Sequence, residues 1–322
     1  MSSNRHATPL AFVYSGQGSQ SFQMGRELYT CEPVFRYHLD KLDAYIVERC
    51  AQPLVPLLYG GQRQRVEPFT DLLYSSLAIY AVERAATQML MERGIAPDLV
   101  VTVSLGLLAG LSLAGCICDE QAIDLIYQQS LILDQYCPPG AMLSVLAGTG
   151  LLADLPALLE LAEVSGYMFD GCMVLSMPLD ALPRVEALLR KEQIVFQRMP
   201  VERPFHSRWL EPARSRVLEL HQDLLFKTAS LPVWTVDEAH AINAVNTKTM
   251  WNILRKPVRF QQSIDQLEQL GRCRYVDLGP SGSLATALRY QLPDGDERSV
   301  ALMPAFGRGE NPWLLLERLG VM

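Results

Sequence analysis

The sequence predicts an α/β protein with a largely parallel sheet, and three observations carry that reading. Short apolar runs bounded by turn residues alternate with stretches whose apolar residues recur every three to four positions, the pattern of strands separated by amphipathic helices. The chain has 322 residues, 49% of them hydrophobic and 20% charged, which suits one large domain or a large and a small one. A third feature is the block 138–203, which packs the same alternation into fewer residues.

Taken in order, LAFVY at Leu10–Tyr14 is an unbroken apolar run before Ser-Gly, the mark of a strand buried on both faces. Helical spacing follows at Pro33–Glu48 and Leu72–Arg93, then a strand at Leu99–Val103 and a helix at Glu120–Gln135. Within 138–203 the expected order is strand Met142–Leu146, helix Leu152–Glu163, strand Met173–Ser176, helix Leu179–Lys191 and strand Ile194–Met199. That order fits a small split βαβ unit inserted in a larger domain spanning 1–137 and 204–322. The chain closes with helix Arg208–Phe226, strand Leu231–Thr235, helices Thr249–Leu254 and Phe260–Leu270, and strands Arg274–Leu278 and Val300–Met303.

The bulk properties exclude several function classes. A net charge of −7 argues against nucleic acid as the main partner. The seven cysteines form no regular framework, which suits reduced thiols in the cytoplasm. The start MSSNRHATPLAFVYSG reads as a polar stretch and a first strand rather than a signal peptide. The uncharged run LVVTVSLGLLAGLSLAGCIC, Leu99–Cys118, is long enough to cross a bilayer. Gly106, Gly110 and Gly115 interrupt it, however, no Lys/Arg cluster follows, and Asp119-Glu120 come next; a buried strand, turn and small-residue helix is the better reading.

That turn is where chemistry is expected. In strand–Ser–x–Gly–helix geometry the serine hydroxyl is exposed at a helix start and the next amide points toward an oxyanion site. Ser104 occupies this place, although Thr102 stands where the full G-x-S-x-G pattern has its first glycine. A serine nucleophile needs a base, and the chain has five histidines. His6 lies in the polar N-terminal stretch; His38, His221 and His240 sit in polar, helix-surface or loop contexts. His206, in RPFHSRW, falls where the inserted unit returns to the main domain. Ser15-Gly-Gln-Gly-Ser-Gln20 follows the first strand; it lacks the signature of a nucleotide loop but could hold the Gln17 amide beside an anionic intermediate.

Together FVYSGQGSQ, MGRELY, VSLGLLAGLSLAG, PPGAMLSVLAG, PFHSRW, LRKPVRFQQSI and YVDLGPSGSLA resemble, in order and spacing, the acyltransferase family typified by malonyl-CoA:acyl-carrier-protein transacylase. The resemblance implies an α/β-hydrolase-like large subdomain with an inserted ferredoxin-like small subdomain. It implies Ser104 as nucleophile, His206 as base, Gln17 and the Leu105 N–H as oxyanion donors, and the backbone carbonyl of Lys256 orienting the histidine. Gln129, Val103, Phe205 and Met168 are implied for the acyl pocket. No metal or resident cofactor is expected: the substrate would ride on the phosphopantetheine of an acyl carrier protein, or on coenzyme A. The protein is expected to be a monomer that engages neither membrane nor nucleic acid.

Two departures refine this. The family's usual Gly-His-Ser-Leu-Gly-Glu turn is here Thr102-Val103-Ser104-Leu105-Gly106-Leu107. Members that use malonyl groups carry a carboxylate-clamping arginine where Gln129 stands, and a neutral amide cannot replace a bidentate guanidinium. This implies uncharged acyl groups. The tail DLGPSGSLATALRY, followed by Pro304-Ala-Phe-Gly, most resembles the discrete acyl hydrolases of trans-acyltransferase polyketide pathways, which often have glutamine in place of that arginine. Three functions therefore stand open: an acyl hydrolase acting on carrier proteins, an acyltransferase moving a non-malonyl group, and an impaired homologue that binds carriers. Carrier proteins are acidic, and Arg198, Arg203, Arg208, Arg214 and Arg216 would form a basic rim around His206.

Overall fold

The computed structural model describes residues 8–242, 244–293, 295–304 and 311–322. Its strands are β1 (Leu10–Tyr14), β2 (Leu99–Thr102), β3 (Gly140–Val145), β4 (Glu163–Phe169), β5 (Cys172–Pro178), β6 (Phe196–Arg198), β7 (Val233–Thr235), β8 (His240–Ile242), β9 (Val258–Arg259), β10 (Arg274–Asp277) and β11 (Ser299–Ala301). They form two sheets, in the orders β11-β10-β1-β2-β7-β8 and β6-β3-β5-β4-β9.

The larger sheet is parallel from β11 through β7, with β8 folded back antiparallel on β7. Its central strands read as continuous apolar runs because both faces are covered. Side chains alternate across the sheet: Leu10, Phe12 and Tyr14 of β1 enter the core beneath helix Leu72–Glu92, while Ala11 and Val13 face helices Phe260–Leu270 and Ser283–Gln291. Helix Leu72–Glu92 starts where Asp71 accepts a hydrogen bond from the Tyr74 amide and is buried along most of its length.

The smaller sheet has the β-α-β-β-α-β order of a ferredoxin-like fold, with β3, β5 and β4 antiparallel and β6 on the other side of β3. The sequence reading missed β4. The helix expected at Leu152–Glu163 is instead two short pieces, Leu151–Asp154 and Ala157–Leu161. Pro156 separates them, as expected from its effect on the residue before it. The strand EVSGYMF then follows, too mixed in polarity to register as an apolar run. β9, only two residues long, comes from outside 138–203 and joins this sheet parallel to β4, with Gly166 opposite Val258 and Tyr167 opposite Arg259. The expected helix Arg208–Phe226 is a 3₁₀ segment containing Pro212, Arg208–Ala213, followed by an α-helix that ends at His221.

Leu99–Cys118 resolves into β2, a tight turn and helix Gly106–Leu113. No helix among the described residues is long and apolar enough to cross a membrane.

Candidate active site

The turn after β2 presses two backbones together. Val103 donates its amide to the Tyr14 carbonyl at 2.9 Å, which keeps the chain alongside β1 as it leaves the sheet. Ser104 then takes φ = 54°, a left-handed conformation that costs a non-glycine residue roughly 1–3 kcal/mol and persists only where the surroundings impose it. Gly106 opens the helix because a Cβ there would stand 2.6 Å from the carbonyl oxygens of Tyr14 and Ser15. Gly16 lies against the nucleophile itself: a Cβ there would be 2.8 Å from Ser104 Cβ and 2.9 Å from the Val103 oxygen.

His206 meets this turn from the far side of the chain. Its Nε2 is 3.0 Å from Ser104 Oγ, and its Nδ1 is 2.8 Å from the Lys256 carbonyl oxygen. A carbonyl only accepts, so Nδ1 carries the proton and the Nε2 lone pair faces the serine. His206 also has a positive φ, 58°, held by its amide bonding to Leu254 O at 2.9 Å and by Ser176 Oγ bonding to Phe205 O at 2.6 Å. Helix Thr247–Arg255 ends at Lys256, which turns extended and aims its carbonyl at the ring. Burial pushes the imidazole pKa down to about 4, with a smaller contribution from the Arg255 charge and partial compensation by the Lys256 carbonyl. The resting histidine is therefore neutral and able to accept a proton over the physiological range.

Gln17 differs from expectation. Its side-chain Nε2 donates to Ser76 Oγ at 2.6 Å and Ser75 Oγ at 3.2 Å, so the amide head is committed to helix Leu72–Glu92. What remains free near Ser104 is backbone: among the described residues neither the Gln17 nor the Leu105 N–H has an acceptor.

Beneath Ser104 lies a cavity of about 30 Å³ whose walls include Leu72, Leu107, Ile126, Met250, Ile253 and Leu254. Gln129 and Phe205 line it as anticipated, and Gln17, Ser76 and Ser130 are further polar groups in its wall. Val103 and Met168 do not line it. Val103 points to the opposite face of the sheet, among Ala11, Val13 and Trp234, because strand alternation sends it away from its neighbour Ser104. Met168 sits half-buried on β4 between the two cores that pack there. A second, polar chamber of about 210 Å³ shares Gln17, Leu72 and Phe205 with the first, and Asp71, Asp134 and Arg203 also line it.

The other described histidines are elsewhere: His38 pairs with Glu92, buried His221 bonds its own helix at Val217 O, and His240 lies near Glu238. His6 is outside the described residues. The expected basic rim is largely neutralised, since Arg203 pairs with Asp134, Arg208 with Glu163, Arg214 with Glu211 and Arg216 with Glu219. Sequence reasoning also missed Ser75, Ser76 and Glu83, all buried on helix Leu72–Glu92. Polar residues at buried helical positions were the available signal.

Comparison with known proteins identifies the family and the fold. The family model described as "Acyl transferase domain" matches residues 11–317. "Polyketide biosynthesis acyltransferase homolog PksD" of Bacillus subtilis (strain 168) is 33% identical over 299 residues, covering 92% of each chain. The homolog BaeD of Bacillus velezensis is 32% identical with the same coverage. The structure described as MCAT from Streptococcus pneumoniae superposes with a TM-score of 0.78 at 23% identity, over 96% of this chain and 100% of the other, a likeness of fold. With a family model running over nearly its whole length and relatives sharing about a third of its residues, this chain belongs to the acyl transferase domain family.

Proposed function

We propose that the protein is a polyketide-pathway enzyme that removes uncharged acyl groups from the phosphopantetheine thioester of acyl carrier proteins, by way of an ester on Ser104. The observation that carries this is the Ser104–His206–Lys256 relay standing over an apolar cavity. His206 Nε2 takes the Ser104 proton as Oγ attacks the thioester carbonyl. The Gln17 and Leu105 amides receive the negative charge that develops on that oxygen. The C–S bond breaks, the departing thiolate takes the proton from His206, and the acyl group stays on Ser104. Water, deprotonated by the same nitrogen, then attacks the ester, which releases the carboxylic acid and restores the serine.

Specificity follows from the cavity. Gln129 offers an amide and no charge, and the turn supplies Leu107, fully buried, where the family usually has a glutamate. A free carboxylate would be desolvated there without a partner, at a cost of about 2–5 kcal/mol. By the same measure a water molecule fills about 10–15 Å³, so about 30 Å³ holds two or three such groups and suits a short acyl chain. Hydrolysis is favoured over transfer by the likeness to discrete acyl hydrolases. The transferase reading draws on the family's own description and on relatives named acyltransferase homologs. The intact serine–histidine contact speaks against an impaired carrier-binding homologue.

The deciding experiment follows acyl loss by intact mass from acetyl-, longer acyl- and malonyl-carrier protein. Loss of neutral acyl groups that stops in Ser104→Ala supports hydrolysis. Appearance of the acyl group on a second carrier supports transfer, equal use of malonyl overturns the specificity argument, and binding without turnover supports the impaired homologue.

A further inference from the structure

Glu83 is buried in the middle of helix Leu72–Glu92, one layer below the loop that carries Gln17. Its Oε1 accepts two hydrogen bonds from one residue, the Ser15 amide at 2.7 Å and the Ser15 hydroxyl at 2.8 Å. The same hydroxyl lies 2.9 Å from Ser19 Oγ, which in turn donates to the Gly16 carbonyl at 2.8 Å. The anchor therefore fixes the start of the tight Ser15–Ser19 turn, and Ser19 closes the turn on the Gly16 carbonyl with Gln17 enclosed between them. Its Oε2 has no partner among the described residues. Burial pushes this carboxyl well above the usual carboxylate range, with buried Asp277 adding to the effect. A polar group this deep costs stability unless it is matched, and packing of helix against sheet does not require one at this position.

The anchored turn is the segment pressed on the nucleophile. Gly16 leaves no room for a side chain against the nucleophile, since a Cβ there would stand 2.8 Å from Ser104 Cβ and 3.3 Å from the Leu105 nitrogen, and the Ser15 carbonyl bounds the start of helix Gly106–Leu113. A displacement of a few tenths of an ångström at Ser15 therefore moves the Gln17 amide relative to the Leu105 amide. We propose that Glu83 is a positioning residue for acyl transfer: by gripping Ser15 through both its amide and its hydroxyl, it holds the Gln17 N–H in register with that of Leu105. The inference rests on the Ser104 acyl-enzyme reading above. The mechanical part, that Glu83 fixes the loop, stands or falls separately.

The test compares Glu83→Gln, Glu83→Ala and Ser15→Ala with wild type in two measurements, acylation of Ser104 by p-nitrophenyl acetate and amide hydrogen exchange of the 15–20 segment. Glutamine keeps an acceptor oxygen for both Ser15 donors, so it is expected to hold kcat within about threefold and leave exchange unchanged. Alanine leaves two donors without an acceptor and is expected to lower kcat by about 30-fold or more, with KM moved less than about threefold. It should also speed exchange at Gln17. Ser15→Ala, which removes one of the two bonds and is the milder fallback if Glu83→Ala fails to fold, should fall between them. A Glu83→Gln protein as impaired as Glu83→Ala, or unchanged exchange in both Glu83→Ala and Ser15→Ala, overturns the proposal. If wild type never acylates Ser104 while the exchange pattern holds, the acyl-enzyme reading fails and the anchoring role stands.

Discussion

Lowering the pH separates a buried histidine base from an ordinary one. With its pKa near 4, His206 is about 90% in the base form at pH 5, whereas an imidazole titrating at about 6.5 would be about 3% so. Acylation of Ser104 at pH 5 should therefore run within about 10% of its neutral-pH rate rather than about 30-fold below it. The assay is the pre-steady-state release of p-nitrophenol from p-nitrophenyl acetate between pH 3.5 and 8, using short pH jumps. Stability gives a second readout of the same group. The folded state keeps His206 neutral where the unfolded chain protonates it, so the stabilisation is complete above about 6.5 and is lost as the pH falls toward 4. The difference is worth about 3 kcal/mol. Asp277, raised to about 6 by burial, works in the opposite sense, its contribution fading as the pH rises toward 6. The comparison is therefore wild type against His206→Gln, which isolates the histidine. An acidic limb titrating between 6 and 7 in acylation would refute the reasoning, because it would mean that water reaches the ring and His206 is not buried as described.

Other outcomes follow from the same geometry. Ser104→Gly should abolish acyl-enzyme formation yet raise the melting point, since relief of the positive φ is worth about 1 kcal/mol; calorimetry and intact mass check both halves. Gly16→Ala places a methyl group on Ser104 and the Val103 carbonyl, and should cut acylation at least about 10²-fold, read in the p-nitrophenyl acetate burst. Gln129→Arg should raise the malonyl-to-acetyl ratio of acyl-enzyme about 10–100-fold by giving the carboxylate a partner, measured with mixed carrier-protein substrates.

The two sheets were legible where their signals are local. β1 is an unbroken apolar run and β2 is apolar up to Thr102, and the Ser104 turn could be placed because strand and small-residue helix adjoin it. β4 and β9 were not legible, the first because it is half-buried and mixed in polarity, the second because a two-residue strand has no period. His206 meets Ser104, and Lys256 meets His206, only through tertiary folding; His206 stood out by its place where the inserted unit returns to the main domain, whereas Lys256 was implied by the family resemblance alone. The arginine cluster misled in two ways: Asp134 and Glu163 lie 69 and 45 residues from Arg203 and Arg208, whereas Glu211 and Glu219, one helical turn from Arg214 and Arg216, were legible as partners. Gln17 was legible as a site residue but not in its orientation, which Ser75 and Ser76 set from another helix.

The short strand β9 bears on how such proteins could be recombined. Lys256, whose carbonyl orients His206, is followed after Pro257 by Val258 and Arg259, which pair with β4 of the smaller sheet. A chimera that transplants only residues 138–203 from a relative would import a β4 cut to a different neighbour and could shift the carbonyl from its place behind the imidazole. The transferable module is discontinuous: the inserted block together with the Lys256–Arg259 segment that stitches its outer strand to the catalytic relay.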